Sequence, residues 1–204
     1  MEIADFLKQT LHITDETLIR EIVPMCEVKT FKKGKTLVRQ GQVPDHVDLL
    51  VTGVCRGYFV DGNGKDITDC LVCQVGAPLT ASADLCAPAP VTMETLTECV
   101  TVRISVGNVL YLLAHFPEIE RVYRDALLAS GDFHRELKIT LYQYTAPQRY
   151  HWFLKKFPGV IHRISHKYVA SLLNMTPVTL SRIINTAPED TCDEAPLFNM
   201  PEPM

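Results

Sequence analysis

"ISHKYVASLLNMTPVTLSRII", Ile164 to Ile184, reads as two short helices joined by a tight connection. Ser165 is placed to cap the first helix, and Tyr168, Val169, Leu172 and Leu173 give it an apolar face. Asn174 falls where the chain must turn with left-handed φ, a conformation that Asn tolerates better than most side-chain-bearing residues. Thr176 then caps the second helix and Pro177 takes its first position, where a missing N–H costs nothing. Leu180, Ile183 and Ile184 pack inward, so Val178, Thr179, Ser181 and Arg182 form the outer face.

The charge around this stretch is unusual for its chain. The protein is acidic overall, with a formal net charge of −4. Yet Pro147 to Asn185 contains no Asp or Glu, while it holds Arg149, Lys155, Lys156, Arg163, Lys167, Arg182, His151, His162 and His166. Phosphates repel carboxylates, so an acid-free basic segment suits a polyanion, and in a helix-turn-helix the second helix enters the major groove of DNA. A solvated basic surface would share the same composition. Beyond it, "TAPEDTCDEAPLFNMPEPM" carries only negative charge.

Working outward, residues 1–25 have helical spacing, with "TDE" at Thr14–Glu16 offering an N-cap and first-turn acids for a second helix. From Cys26 to Ser105 the period shortens to that of strands punctuated by Gly34, Gly41, Gly53 and "DGNG" at Asp61–Gly64. Asn63-Gly64 signals a hairpin in which both residues adopt positive φ. Helical spacing returns at Gly107. From Pro117 to about Thr145, one long helix carries Ile119, Tyr123, Ala126, Ser130, Phe133, Leu137, Thr140 and Tyr144 at alternating steps of four and three, a seam suited to a twofold mate.

The expected fold is thus α+β: an N-terminal antiparallel, jelly-roll-like β-roll, a long dimerisation helix, and a C-terminal helix-turn-helix domain. The boundaries are a sensor domain at 1–116, the helix at 117–146, the DNA-binding domain at 147–185 and an acidic Pro-rich tail at 186–204. No apolar run approaches a membrane span, and the N-terminus lacks the charge pattern of a secretion signal, so a cytoplasmic protein with no membrane partner is expected. The scattered, odd-numbered cysteines suit reduced thiols. Cys70 and Cys73 form a C-x-x-C, but in a strand they point to opposite faces and no second pair exists, so no metal or other cofactor is expected. A cupin-type metalloenzyme would need several histidines in the roll, where His46 stands alone; enzymatic activity is not expected. The remaining alternative keeps the sensor fold but makes the terminal domain a protein-interaction module.

"FKKGKTLVRQG" (Phe31–Gly41), "LLVTGV" (Leu49–Val54) and "TPVTLSRI" (Thr176–Ile183), in this order, resemble the Crp/Fnr family of bacterial transcription regulators. The resemblance covers roughly Cys26 to Asn185. It implies a homodimer that binds twofold sites in double-stranded DNA, contacts RNA polymerase and answers to a small-molecule effector. The dimer seam would be Ile119, Tyr123, Ala126, Phe133, Leu137 and Tyr144. DNA contacts would come from Ser165, His166, Lys167, Thr176, Pro177, Val178, Thr179, Ser181 and Arg182.

The departures are specific. Cyclic-AMP-binding relatives hold the phosphate with a Gly-Glu pair and an Arg followed by a small hydroxyl residue; those positions fall near Thr80, Ala81 and Ser82 and near Ala89 and Pro90. The adenine-facing pair falls near His134 and Arg135, with Arg56 as a further candidate cation. A buried phosphodiester needs a cation or several N–H donors, so the effector is expected not to be cyclic AMP. Val178 stands where many relatives have an acid that reads cytosine. The wing that normally follows the second helix is short or absent.

Overall fold

In the computed structural model, described for residues 2–80 and 82–186, two short helices precede the sheets. They are α1 (Ile3–Gln9) and α2 (Glu16–Ile22), the second started by Asp15, whose carboxylate accepts from the Thr17 and Leu18 N–H groups at 2.7 and 3.3 Å. Seven antiparallel strands follow: β1 (Cys26–Phe31), β2 (Thr36–Val38), β3 (His46–Thr52), β4 (Cys55–Val60), β5 (Asp66–Val72), β6 (Thr92–Thr95) and β7 (Cys99–Ser105). They form a three-stranded sheet in the order β1-β7-β3 and a four-stranded sheet in the order β2-β6-β4-β5.

Val38, Leu50, Cys55, Leu79, Ala89, Met93 and Cys99 fill the space between the sheets. Gly53 is required there. Its φ is +114°, and a Cβ at that position would lie 2.4 Å from the Cys99 sulfur. The β4–β5 connection differs from the two-residue primed turn expected of Asn63-Gly64. Only Gly64 has positive φ, and the loop runs from Asp61 to Lys65. The Asp61 carboxylate accepts from the Asn63 and Lys65 N–H groups, each at 2.9 Å, and this side-chain organisation replaces the tighter turn.

Helix α3 (Val106–His115) leads through Phe116 into α4 (Pro117–Gln143), 27 residues long. Its first half packs with α1–α3: Ile119, Val122 and Tyr123 lie against the cluster of Leu7, Ile19, Leu85 and Leu112, and the Tyr123 hydroxyl donates to the Ala83 carbonyl. Its second half belongs to another core. Leu137 is buried with Tyr150, Phe153, Phe157, Val169, Leu172, Leu173 and Leu180, and Phe133 meets Phe157 edge-on at 6.0 Å. The remaining elements are α5 (Ala146–Lys156), a 3-10 turn at Val160–His162, α6 (His166–Leu172) and α7 (Pro177–Thr186).

Much of the seam expected on α4 therefore faces its own protomer. Ile119, Tyr123, Phe133 and Leu137 all serve intrachain cores, because an apolar stripe of this spacing fits an adjoining domain as well as a twofold mate. Ala126 and Tyr144 are half-buried. The apolar side chains that α4 leaves in solvent are instead Leu127, Leu128 and Tyr142, 36, 60 and 82% exposed. Among the described residues, no helix is long and apolar enough to cross a membrane.

Candidate nucleic-acid interface

Helices α6 and α7 meet at a sharp turn built as their residues dictate. Asn174 has φ 48°, the Met175 N–H reaches back to the Ala170 carbonyl at 2.9 Å, and the Thr176 hydroxyl accepts from the Thr179 N–H at 3.0 Å. Ser165 starts α6 without a side-chain cap. Arg149 of α5 braces the turn from below, its Nη1 donating to the Leu173 and Asn174 carbonyls at 2.7 and 3.1 Å. Leu180 is fully buried, and Ile183 and Ile184 pack on the terminal core, as their spacing requires.

The opposite face of α7 points into solvent. Thr176, Pro177, Ser181 and Arg182 are exposed, Thr179 is half-exposed, and Val178 is 61% exposed. Ser165, His166 and Lys167 are exposed at the start of α6. These nine residues thus lie on two adjoining helix ends and one helix face, with His162 and Arg163 also exposed just before them. Two of the basic residues in the acid-free window are occupied by structure: Arg149 at the turn, and Lys156, which pairs with Glu136 of α4 at 2.5 Å.

The inner face of α6 is held by the roll, a contact the sequence does not reveal. Arg56 on β4 is 2% exposed. Its Nε donates to Glu94 at 2.7 Å, Nη1 to Asp66 and Thr68 at 2.8 and 3.1 Å, and Nη2 to Asp66 at 2.7 Å. The guanidinium lies between the Tyr58 ring of β4 and the Tyr168 ring of α6, 4.1 Å from each centroid. Burial alone would lower the Arg56 pKa; the hydrogen bonds to Asp66 and Glu94 raise it above the ordinary value, so the group stays charged. Beside it, Ser171 of α6 accepts from the Thr68 N–H at 2.9 Å.

The residues assigned to an effector pocket are not brought together. Arg56 is committed to Asp66 and Glu94, on the sheet surface that meets α6. Ala89 is in the apolar interior of the roll, Thr80 lines a small cavity beside His46 and Arg103, and Ser82 caps the turn to Asp84. Pro90 is exposed, and Ala81 lies outside the described residues. His134 and Arg135 are on α4, paired with Asp69 and Asp132. A separate cavity of about 250 Å³ opens between Phe59 and Ile67 of the roll, Leu137 and Leu141 of α4, and Leu172 and Met175. Burial raises the pKa of Cys70 to about 12 and that of Cys73 above its usual value, which suits inert thiols. Among the described residues, no group of His, Cys, Asp and Glu side chains is placed to hold a metal ion.

The His134–Asp69 pair ties α4 to β5 and carries a pH dependence. Nδ1 of His134 lies 2.8 Å from the Ser130 carbonyl and Nε2 lies 3.2 Å from Asp69, so both nitrogens donate in the imidazolium. The bond to Asp69 raises the His134 pKa against the opposing effect of partial burial. Stability from this pair is fully present below the unfolded value of about 6.5 and is lost as pH rises through the higher folded value. The urea midpoint should accordingly fall as pH rises above about 6.5, and Asp69→Asn should flatten that slope. An unchanged slope in the variant would assign the dependence to another group.

Comparison with known proteins agrees with this architecture. Residues 28–116 match the cyclic nucleotide-binding domain. No curated protein matches the sequence. FixK2 from Bradyrhizobium japonicum has a similar solved structure, with a TM-score of 0.71 at 13% identity over 78% of this chain and 83% of that one. A CooA variant from Carboxydothermus hydrogenoformans gives 0.66 at 15% identity, over 91% and 83%. A protein from Eubacterium rectale, described as a transcriptional regulator of the Crp/Fnr family, gives 0.65 at 13%, over 84% and 82%. The chain thus shares the fold of these solved structures: a segment that matches the cyclic nucleotide-binding domain, followed by a long helix and a helical C-terminal region.

Proposed function

We propose that the protein is a sequence-specific, DNA-binding transcription regulator of the Crp/Fnr type and not an enzyme. The observation that carries this reading is the α6–α7 pair: a left-handed Asn174 turn that presents the outer face of α7 to solvent, within a stretch of sequence, Pro147 to Asn185, that contains no acid. Residues 1–116 act as sensor, 117–146 as dimerisation helix and 147–185 as a helix-turn-helix domain. The acidic tail assigned to 186–204 lies, beyond Thr186, outside the described residues.

In this reading α7 enters the major groove, with Pro177, Val178, Thr179 and Arg182 at base edges and Thr176 and Ser181 flanking them. Ser165, His166 and Lys167 contact phosphate, where the free N–H groups at the start of α6 add to the attraction for anions. A homodimer places two α7 helices about 34 Å apart, which calls for half-sites one helical turn apart. Its seam runs through Leu127 and Leu128, which α4 leaves exposed, and not through Phe133 and Leu137. RNA polymerase is a further partner by resemblance. The effector is a small molecule other than cyclic AMP, because Arg56 has no charge to spare for a phosphodiester.

Arg182→Ala and Lys167→Ala should separate base reading from phosphate contact. Arg182→Ala should lose about 1–3 kcal/mol on the preferred site and relax one base position. Lys167→Ala should weaken all sequences alike and reduce the slope of log affinity against log salt by about one. Titration of both variants on the selected duplex and a scrambled one measures this. If Arg182→Ala binds both duplexes as wild type does, α7 is not the reading helix.

A further inference from the structure

We propose that Cys55 and Cys99 form a reversible disulfide site, which a small hydroperoxide oxidises and whose closure acts on the terminal helices through β4. The two thiols come from different sheets: Cys55 opens β4 of the four-stranded sheet and Cys99 opens β7 of the three-stranded one. Their Sγ atoms are 3.6 Å apart, and both residues are fully buried. Gly53 leaves the space in which the Cys99 sulfur sits, since a Cβ there would lie 2.4 Å from it. Within the pair, the hydrogen bond with Cys55 lowers the Cys99 pKa to about 7 against the opposing effect of burial, and the same bond raises that of Cys55. One sulfur is therefore partly thiolate near neutral pH while its neighbour keeps a proton, the starting point for disulfide formation.

The pair lies where the β3–β4 and β6–β7 turns meet. The Val54 N–H donates to the Thr97 hydroxyl at 2.9 Å and the Leu96 N–H to the Val54 carbonyl at 2.7 Å, while Thr52 and Glu98 beside them are exposed. Local opening of these turns admits hydrogen peroxide. The Cys99 thiolate attacks the peroxide; an S–O bond forms as the O–O bond breaks, and hydroxide leaves. Cys55 Sγ then attacks the sulfenic sulfur, the S–S bond forms, the S–O bond breaks, and the Cys55 proton leaves with the departing hydroxide as water. Two electrons have passed from the sulfurs to the peroxide, and thiol exchange with a reduced small thiol returns them. Closure requires the sulfurs to approach by roughly 1.5 Å. The neighbours of Cys55 carry that movement outward. Val54 is buried in the core that holds Leu172, Leu173 and Leu180, and the Arg56 guanidinium stacks on the Tyr168 ring of α6. Neither the bond nor its effect on α6 rests on the DNA-binding reading.

The test treats the full chain with hydrogen peroxide, alkylates the remaining thiols in denaturant and maps the peptides by mass spectrometry. Most of Cys55 and Cys99 should appear in one linked peptide that dithiothreitol separates again. Emission of Trp152, which packs on the terminal core, should change with the same time course as the link and recover on reduction. Cys99→Ala should leave Cys55 open to alkylation and abolish the Trp152 response, whereas Cys86→Ser, at an exposed cysteine, should keep both signals. The wild-type map decides the matter even if Cys99→Ala does not fold. Cys55 and Cys99 both still alkylated after Cys86 has been oxidised would overturn the proposal, as would Cys99 recovered as sulfinic acid beside free Cys55. A linked peptide with constant Trp152 emission would overturn the connection to the terminal helices.

Discussion

Arg56→Ala should cost about 3–5 kcal/mol of folding stability, the largest effect of any single substitution on the roll. The side chain is 3% exposed, and its loss strands Glu94, itself 16% exposed, without a counter-charge. It also removes the layer between Tyr58 and Tyr168, so the roll loses its grip on α6. Arg56→Lys should recover little, since an ammonium cannot bond Asp66 and Glu94 in a planar fork and stack on two rings at once. Urea unfolding followed by circular dichroism gives the size of the loss. Fluorescence of Trp152, the single tryptophan, reports separately on the terminal helices. A loss below about 1 kcal/mol would mean that the Arg56 ion pairs are solvated in solution and do not bind the two parts together.

Phe133→Asp and Leu128→Asp should fail in different ways. Phe133 is packed between Trp152 and Phe157, so a carboxylate there should destabilise the terminal helical unit by about 3 kcal/mol or more. Leu128 is 60% exposed, and Leu128→Asp should leave protomer stability within about 0.5 kcal/mol while breaking the dimer. Sedimentation velocity and thermal unfolding of both variants distinguish the two. A stable monomer from Phe133→Asp, with Leu128→Asp still dimeric, would return the seam to the side of α4 that carries Phe133.

The contrast shows what a one-dimensional pattern contains. Asn174, Thr176 and Pro177 act on their own backbone, so the turn between α6 and α7 is legible where it stands. The roll is legible through its glycines, and the long helix through its spacing. That spacing cannot say what a stripe packs against: Phe133 and Leu137 satisfy a seam and a domain core equally well. The Arg56 cage is invisible for another reason. Its partners Asp66 and Glu94 lie 10 and 38 positions away, and Tyr168 comes from a different part of the fold. Hence Arg56 reads in sequence as a free cation for an effector, whereas it is a structural charge. Asn63-Gly64 misleads more mildly, because the reach of the Asp61 carboxylate decides the loop.

The most direct test of the regulator reading is selection of binding sites by the purified full-length protein from a random pool of duplex DNA, with and without cellular extract to supply an effector. The expected product is an imperfect palindrome whose half-sites are separated by one helical turn, about 34 Å from centre to centre. Failure to enrich any palindrome under either condition would contradict the reading and leave α7 as a protein-interaction surface.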